Sequence, residues 1–290
     1  MIQLIASDMD GTLLNEKMEI SKENIAAIKK AQAAGIKFMV ATGRSIEEAM
    51  PILKAAGITC QFITSNGAQI FDEDGQNIST VGIERDGLRQ VVAILRRHQL
   101  YFELFTDQGG FTENSEARLT TVAQWLKSTS PTLSEAQALD IAKAHMTTLP
   151  IHDVANFDEV LANTSLMILK VFVMANIDTP SLLSAKAELL KISGLSITSS
   201  GANNIEVNHC DAQKGQALTK VADKLGIPLT AVAALGDNFN DVSMINAAGV
   251  GIAMGNAETD VKAIASYTTL SNIENGVALA VEKLVTGEWQ

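Results

Sequence analysis

Three short apolar runs, each ending on residues that can do chemistry, constrain this chain most. Ile2 to Ser7 runs into Asp8 and Asp10, Ile36 to Ala41 into Thr42-Gly43-Arg44, and Ala231 to Leu235 into Gly236-Asp237. Runs this short and this apolar read as strands covered on both faces. Helical patterns lie between and beside them. Ser21 caps one, with Ile25 and Ile28 at helical spacing and Gly35 as a stop; Ser45 opens another that ends near Gly57. Lys214 to Leu225 sets Ala217, Leu218, Val221 and Leu225 on one face. A further strand is expected at Gln61 to Thr64, and a small hairpin around Ala68 to Phe71 between the turns Asn66-Gly67 and Asp74-Gly75. After Asp237 come a helix at Asp241 to Ala248, a strand at Val250 to Ala253 and two closing helices. Buried strands alternating with helices define an α/β fold with a Rossmann-like parallel sheet core.

The middle of the chain breaks this rhythm. A helix over Asp86 to Gln99 leads to a strand over Leu100 to Thr106 and a turn at Asp107 to Gly110. Helices near Ser115 to Ser128 and Ser134 to Met146 follow. Then come a strand at Leu166 to Met174, a helix at Pro180 to Ile192, and strands at Leu195 to Ser200 and Asn204 to Val207. This mixture reads as an inserted α+β domain, residues 85–207, with residues 1–84 and 208–290 forming the core. A length of 290 residues suits two domains. The insert carries few aromatic residues, among them Tyr101, Phe102, Phe105, Phe111 and Trp125.

Strand ends of an open α/β sheet are where ligands bind, so the residues there come first. Asp8 and Asp10, one residue apart, suit a hard divalent cation with oxygen ligands, and one of them suits attack on phosphorus. Gly11 permits a tight turn whose N–H groups could meet phosphate oxygens. Taken alone, the pair is equally compatible with a solvated turn. Thr42-Gly43-Arg44 offers a hydroxyl and backbone N–H groups at a helix start, an anion site or simply a connecting loop. In Gly236-Asp237-Asn238-Phe239-Asn240-Asp241, Asp237 would complete a metal shell and Asp241 lies one helical turn on; helix capping is the plainer alternative. Lys214 opens a helix, either as a partner for phosphate and carboxylate or as a surface charge. No G-x-S-x-G elbow and no P-loop occur.

In this order, D-M-D-G-T-L-L, A-T-G-R, K-G-Q-A-L and G-D-N-F-N-D resemble the haloacid dehalogenase superfamily of phosphotransferases. Ser65 to Ala68 (S-N-G-A) and Gly251 to Ala257 (G-I-A-M-G-N-A) are similar to its Cof-type branch, subclass IIB. The resemblance spans the chain, and its motifs flank the insert, which corresponds to a C2B-type cap. It implies a phosphatase that hydrolyses a small phosphorylated metabolite, a sugar phosphate or phosphorylated cofactor, through a phospho-aspartate. Asp8 would be the nucleophile and Asp10 the general acid and base. The Met9 amide, Thr42, Gly43, Lys214 and Asn240 would hold the phosphoryl group. Mg2+ would bind Asp8, the Asp10 backbone carbonyl and Asp237, with Asp241 supporting Lys214 or a metal-bound water. Arg44, Asn66 and Asn238 are candidate substrate contacts, and the cap is where substrate choice is expected to reside. Gln213 departs from the small hydroxyl residue that many relatives carry before the lysine. Two other readings share these motifs: a phosphomutase of the phosphomannomutase type, and a non-catalytic binding protein on the same scaffold.

Composition narrows the partners. The net charge is −11 and the densest basic runs are Lys29-Lys30 and Arg96-Arg97, which excludes nucleic acid as the expected ligand. An acidic protein handling phosphate must supply a metal or a local cation. No apolar run reaches membrane-spanning length, and Asp8 and Asp10 interrupt the apolar start as no signal peptide would. Cys60 and Cys210, the two cysteines, form no C-x-x-C pair, so a cytoplasmic location without disulfides is expected.

Overall fold

The computed structural model describes residues 1–129, 133–148, 151–175, 180–200 and 203–290. The first stretch contains β1 (Leu4–Ser7), α1 (Lys22–Ala33), β2 (Lys37–Ala41), α2 (Ile46–Ala55), β3 (Gln61–Thr64), β4 (Gln69–Phe71) and β5 (Asn77–Thr80). The middle contains α3 (Arg85–Arg97), β6 (Tyr101–Thr106), β7 (Gly109–Thr112), α4 (Ser115–Thr129), α5 (Glu135–Thr148), β8 (Ile151–Asp153), α6 (Phe157–Ala162), β9 (Ile168–Met174), α7 (Pro180–Leu189), β10 (Leu195–Thr198) and β11 (Asn204–His209). The last stretch contains α8 (Lys214–Lys224), β12 (Val232–Gly236), α9 (Val242–Ala247), β13 (Val250–Ala253), α10 (Thr259–Ile264), β14 (Tyr267–Thr268) and α11 (Gly276–Val285). Among the described residues no helix is long and apolar enough to cross a membrane.

The chain forms two compact units, Met1–Val81 with Asp211–Gln290, and Gly82–Cys210. The breaks differ from those expected at 84 and 207 for local reasons. The Ile83 N–H donates to the Ile168 carbonyl (2.7 Å), which ties this segment to β9. At the other end β11 continues to His209, paired with Leu195 of β10.

The first unit holds an eight-stranded sheet in the order β14-β13-β12-β1-β2-β3-β4-β5. It is parallel from β14 to β3, and β4 and β5 add an antiparallel edge. Strand alternation builds two cores. Ile5, Phe38, Val40, Phe62, Leu235 and Ile252 face Ile28 of α1, Leu53 of α2 and Val281 of α11. Leu4, Ala6, Met39, Ile63, Val232 and Ala234 face Leu218 and Val221 of α8 and Met244 of α9. A sheet covered on both faces explains why these strands are apolar throughout. The helix starts are those the caps specify: Ser21 Oγ accepts the Asn24 N–H (3.1 Å), and the Ser45 N–H donates to the Glu48 carboxylate (3.0 Å). Cys60 lies buried in this core, and Cys210 is half-buried.

The second unit is a six-stranded sheet in the order β10-β11-β9-β6-β7-β8, antiparallel except where β7 meets β8. Its core joins Leu88 and Val91 of α3, Leu104 of β6, Val171 and Val173 of β9, and Leu189 of α7. Phe102 packs against Phe157 there, with ring centroids 5.0 Å apart, and Phe111 lies against the same core. The side chain of Trp125 lies outside the described residues. The turn expected at Asp107 to Gly110 is tighter than its composition suggests. Thr106 Oγ1 donates to the Gly109 carbonyl (2.8 Å) and accepts the Gln108 N–H (3.0 Å), and β7 returns beside β6 from Gly109.

Candidate active site

β1 lies between β12 and β2 in the sheet, with Ser7 level with Leu235 on one side and Val40 on the other. The residues that follow these three strands therefore emerge side by side: Asp8, Thr42 and Asp237. Chain order reverses direction at β1, which makes this the crevice where open α/β sheets bind ligands.

Lys214, at the start of α8, is fully buried and bridges two acids. Its Nζ donates to Asp8 Oδ1 (2.6 Å) and to Asp241 Oδ1 (2.6 Å). Asp241 Oδ2 accepts the backbone N–H groups of Asp237 (2.9 Å) and Asn238 (3.0 Å). Both oxygens of Asp241 are thus engaged, so it fixes the turn after β12 and holds the lysine. Asp237 accepts a 2.6 Å hydrogen bond from Thr12 Oγ1. Asp8, Asp237 and Asp241 each bring one carboxylate oxygen to within 4.8 Å of the others. Three carboxylates against one ammonium leave two uncompensated negative charges when all are ionised.

The electrostatics reflect that excess. Burial, then the charge of Asp241, pushes Asp8 well above the usual carboxylate range, with Lys214 opposing. Burial and Asp241 likewise push Asp237 up to about 7. Burial works against the charge of Lys214, but Asp241 and Asp8 outweigh it and raise its pKa. A hard divalent cation fits this set: the donors are carboxylate oxygens, and the missing charge is two.

The loop after β1 is built for close approach. Leu14 N–H bonds back to the Met9 carbonyl (2.8 Å), closing a wide turn around Gly11, whose φ is +77°. A Cβ on Gly11 would sit 2.5 Å from Asp237 Oδ2, so glycine is required for both conformation and space. Gly11→Ala is expected to cost about 2 kcal/mol and lower Tm accordingly in a denaturation experiment; an unchanged Tm would contradict this packing. Three side-chain amides satisfy the loop's carbonyls: Asn256 to Gly11 (2.8 Å), Asn24 to Leu13 (3.3 Å) and Asn272 to Leu14 (2.8 Å).

The remaining candidates gather in separate groups. Asp10 is not part of the lysine network; its carboxylate is gripped by Arg44, with Nε to Oδ2 at 2.8 Å and Nη2 to Oδ1 at 2.6 Å. Thr42 is buried, its Oγ1 accepting the Arg44 N–H (3.1 Å). Asn240 Nδ2 donates to Asn66 Oδ1 (3.2 Å). Asn238 spends its side-chain oxygen locally on the Phe239 N–H (2.8 Å). Met9 is buried, and Gly43 follows Thr42 at the end of β2. Thr12 and Asn256 were not singled out from sequence, although both stand inside quoted motifs. Thr12 is the hydroxyl of D-G-T, and Asn256 the amide of M-G-N-A.

Known proteins match this arrangement across the whole chain. The sequence model of the haloacid dehalogenase-like hydrolases matches residues 5–281. Phosphatase YwpJ of Bacillus subtilis (strain 168) is 33% identical over 285 residues, 98% of this chain and 100% of the relative. From the same organism, 5-amino-6-(5-phospho-D-ribitylamino)uracil phosphatase YwtE is 34% identical over 290 residues, covering 99% and 100%. The solved structure of a haloacid dehalogenase-like hydrolase from B. subtilis superposes with a TM-score of 0.88 at 33% identity, over 98% of this chain and 100% of that one. With the motifs, the two-unit fold and these relatives in agreement, the chain belongs to the haloacid dehalogenase-like hydrolases and is a phosphatase of their Cof-type branch.

Proposed function

We propose that the protein is a Mg2+-dependent phosphatase that hydrolyses a small phosphorylated metabolite, a sugar phosphate or a phosphorylated cofactor, in the cytoplasm through a phospho-aspartate. The observation that carries this reading is the buried cluster in which Lys214 holds Asp8 and Asp241 at 2.6 Å each, beside Asp237. The YwtE relative, named for a phosphorylated ribitylamino-uracil, supports the substrate class.

In this reading Asp8, the Asp10 carbonyl and Asp237 hold the magnesium, which when bound neutralises phosphate charge and keeps Asp8 ionised. The Asp8 carboxylate attacks phosphorus in line with the leaving oxygen. Asp10 gives that oxygen a proton, so an alcohol departs. It then takes a proton from the water that attacks the acyl phosphate, releasing inorganic phosphate and restoring Asp8. The Met9 and Gly43 amides, the Thr42 hydroxyl, Lys214 and the Asn240 amide hold the equatorial oxygens. The inserted unit, Gly82–Cys210, is the cap in this reading.

The test is release of free phosphate from an alkyl phosphate, with magnesium and with chelator. Stoichiometric phosphate and alcohol, lost on chelation, are expected. An isomerised sugar phosphate without free phosphate would assign the chain to the mutases instead.

The buried acids also predict a pH dependence. In the metal-free protein Asp237 keeps its proton up to about pH 7, whereas the unfolded chain releases it near the ordinary value of 3.8. The native state then binds more protons than the unfolded state across that window, so stability falls as pH rises from about 4 to 7. Magnesium must displace that proton, and the raised pKa of Asp8 acts in the same direction, so its apparent affinity should rise at least about tenfold per pH unit below 7. Thermal shifts with and without Mg2+, scanned between about pH 5 and 8, check this. A magnesium shift that does not vary with pH would contradict it.

A further inference from the structure

The pairing of Asp10 with Arg44 calls for a role that phosphate binding does not supply. Asp10 has a 47% exposed side chain, unlike the buried acids beside it, and without a partner it would exchange rotamers freely. Arg44 is 18% exposed at its side chain and starts from a rigid junction. Its N–H donates to Thr42 Oγ1 (3.1 Å), and its carbonyl accepts the Ser65 N–H (2.9 Å). The two bonds to Asp10, from Nε at 2.8 Å and Nη2 at 2.6 Å, form a planar fork that sets the plane of the carboxyl group. Lys214 does not serve this purpose, being bonded to Asp8 and Asp241.

We propose that Arg44 is the positioning residue for the Asp10 carboxyl group, holding it in the orientation from which it passes a proton to the leaving oxygen. The proposal rests on the acid–base reading of Asp10. A carboxylate offers about four lone-pair sites, of which the fork uses one on each oxygen. When one oxygen carries the proton, the other still accepts from the guanidinium, so the group stays aimed as its charge changes. As the proton moves to the leaving oxygen, the phosphorus–oxygen bond breaks, the Asp8–phosphorus bond forms, and the fork regains its second contact.

Leaving-group dependence tests this in the intact, magnesium-loaded enzyme. kcat/KM counts steps only up to departure of the leaving group. p-Nitrophenolate departs with little help from an acid, whereas the alkoxide of glucose 6-phosphate does not. Arg44→Met is expected to lower kcat/KM for glucose 6-phosphate by about 10²-fold and at least tenfold less for p-nitrophenyl phosphate. Arg44→Lys should recover part of the alkyl activity, and Asp10→Asn/Arg44→Met should be no slower than Asp10→Asn alone. Equal losses on both substrates in Arg44→Met, or no loss, would overturn the role of Arg44 while Asp10→Asn stays leaving-group selective. If Asp10→Asn itself slows both substrates equally, the acid–base reading falls and takes this proposal with it.

Discussion

Asp8→Asn is expected to abolish turnover while the protein stays folded. The expected loss in kcat is at least about 10⁴-fold, because an amide cannot form the acyl phosphate and no neighbouring group replaces it. The fold survives for an electrostatic reason. Asp8 sits buried between Asp241, Asp237 and Asp10, and those charges with burial disfavour its ionised form; only Lys214 opposes them. Removing that charge relieves repulsion and leaves Lys214 bonded to Asp241 at 2.6 Å. Metal-free Asp8→Asn should therefore be as stable as wild type or more so where the wild-type Asp8 would be ionised, the opposite of the usual effect of a buried substitution. Steady-state phosphate release and chemical denaturation, measured on the same preparation, check both halves. A second readout follows from the chemistry: wild type quenched in acid during turnover gains one phosphoryl mass, and Asp8→Asn does not. Turnover near the wild-type rate, or phosphorylation elsewhere in the wild type, would remove Asp8 from the nucleophile's place.

The strand ends were legible because sheets bury their strands. Apolar runs that stop at Asp8, Thr42 and Asp237 mark where the chain leaves the core, and β1 falls between β2 and β12 as a doubly wound sheet requires. The charge network could be named but not drawn. Lys214 and Asp8 are 206 residues apart, Thr12 and Asp237 are 225, and Asn272 reaches Leu14 across 258. No local period encodes such pairs, so nothing in the sequence pattern singles out Thr12, Asn256 or Asn272. Elements too short to show a repeat were lost for a related reason. β8 has three residues and α6 has six, and neither carries enough turns of pattern to rise above a loop. The antiparallel edge of β4 and β5 is set by a hairpin rather than a crossover helix, which the turns at Asn66-Gly67 and Asp74-Gly75 did signal. The partner of Asp10 was the least foreseeable feature. Arg44 carries the right charge, but nothing in its spacing distinguishes a contact with substrate from one with a carboxylate 34 residues earlier.

Lys214→Met is expected to damage stability and chemistry together, and a second substitution separates the two. The ammonium is fully buried and bonded to two buried acids, so removing it leaves Asp8 and Asp241 without their cation. Breaking a buried pair in this way costs about 3–5 kcal/mol, on the order of 10 °C in Tm. The cost depends on pH with a definite sign. Asp8, already pushed up by burial, loses the opposing charge of Lys214 in the variant, so the loss is small near pH 4 and grows as pH rises through neutrality. If Lys214 binds the phosphoryl group as proposed, activity should fall independently, by about 10²–10³-fold in kcat, because the transferring group loses a preorganised cation. Adding Asp241→Asn removes one stranded charge and keeps an oxygen for the Asp237 and Asn238 N–H groups. The double variant should regain much of the stability at pH 8 and none of the turnover. Denaturation curves at two pH values and initial rates at saturating magnesium distinguish these effects. Recovery of turnover along with stability would mean that Lys214 only holds the fold, with no direct part in binding the phosphoryl group.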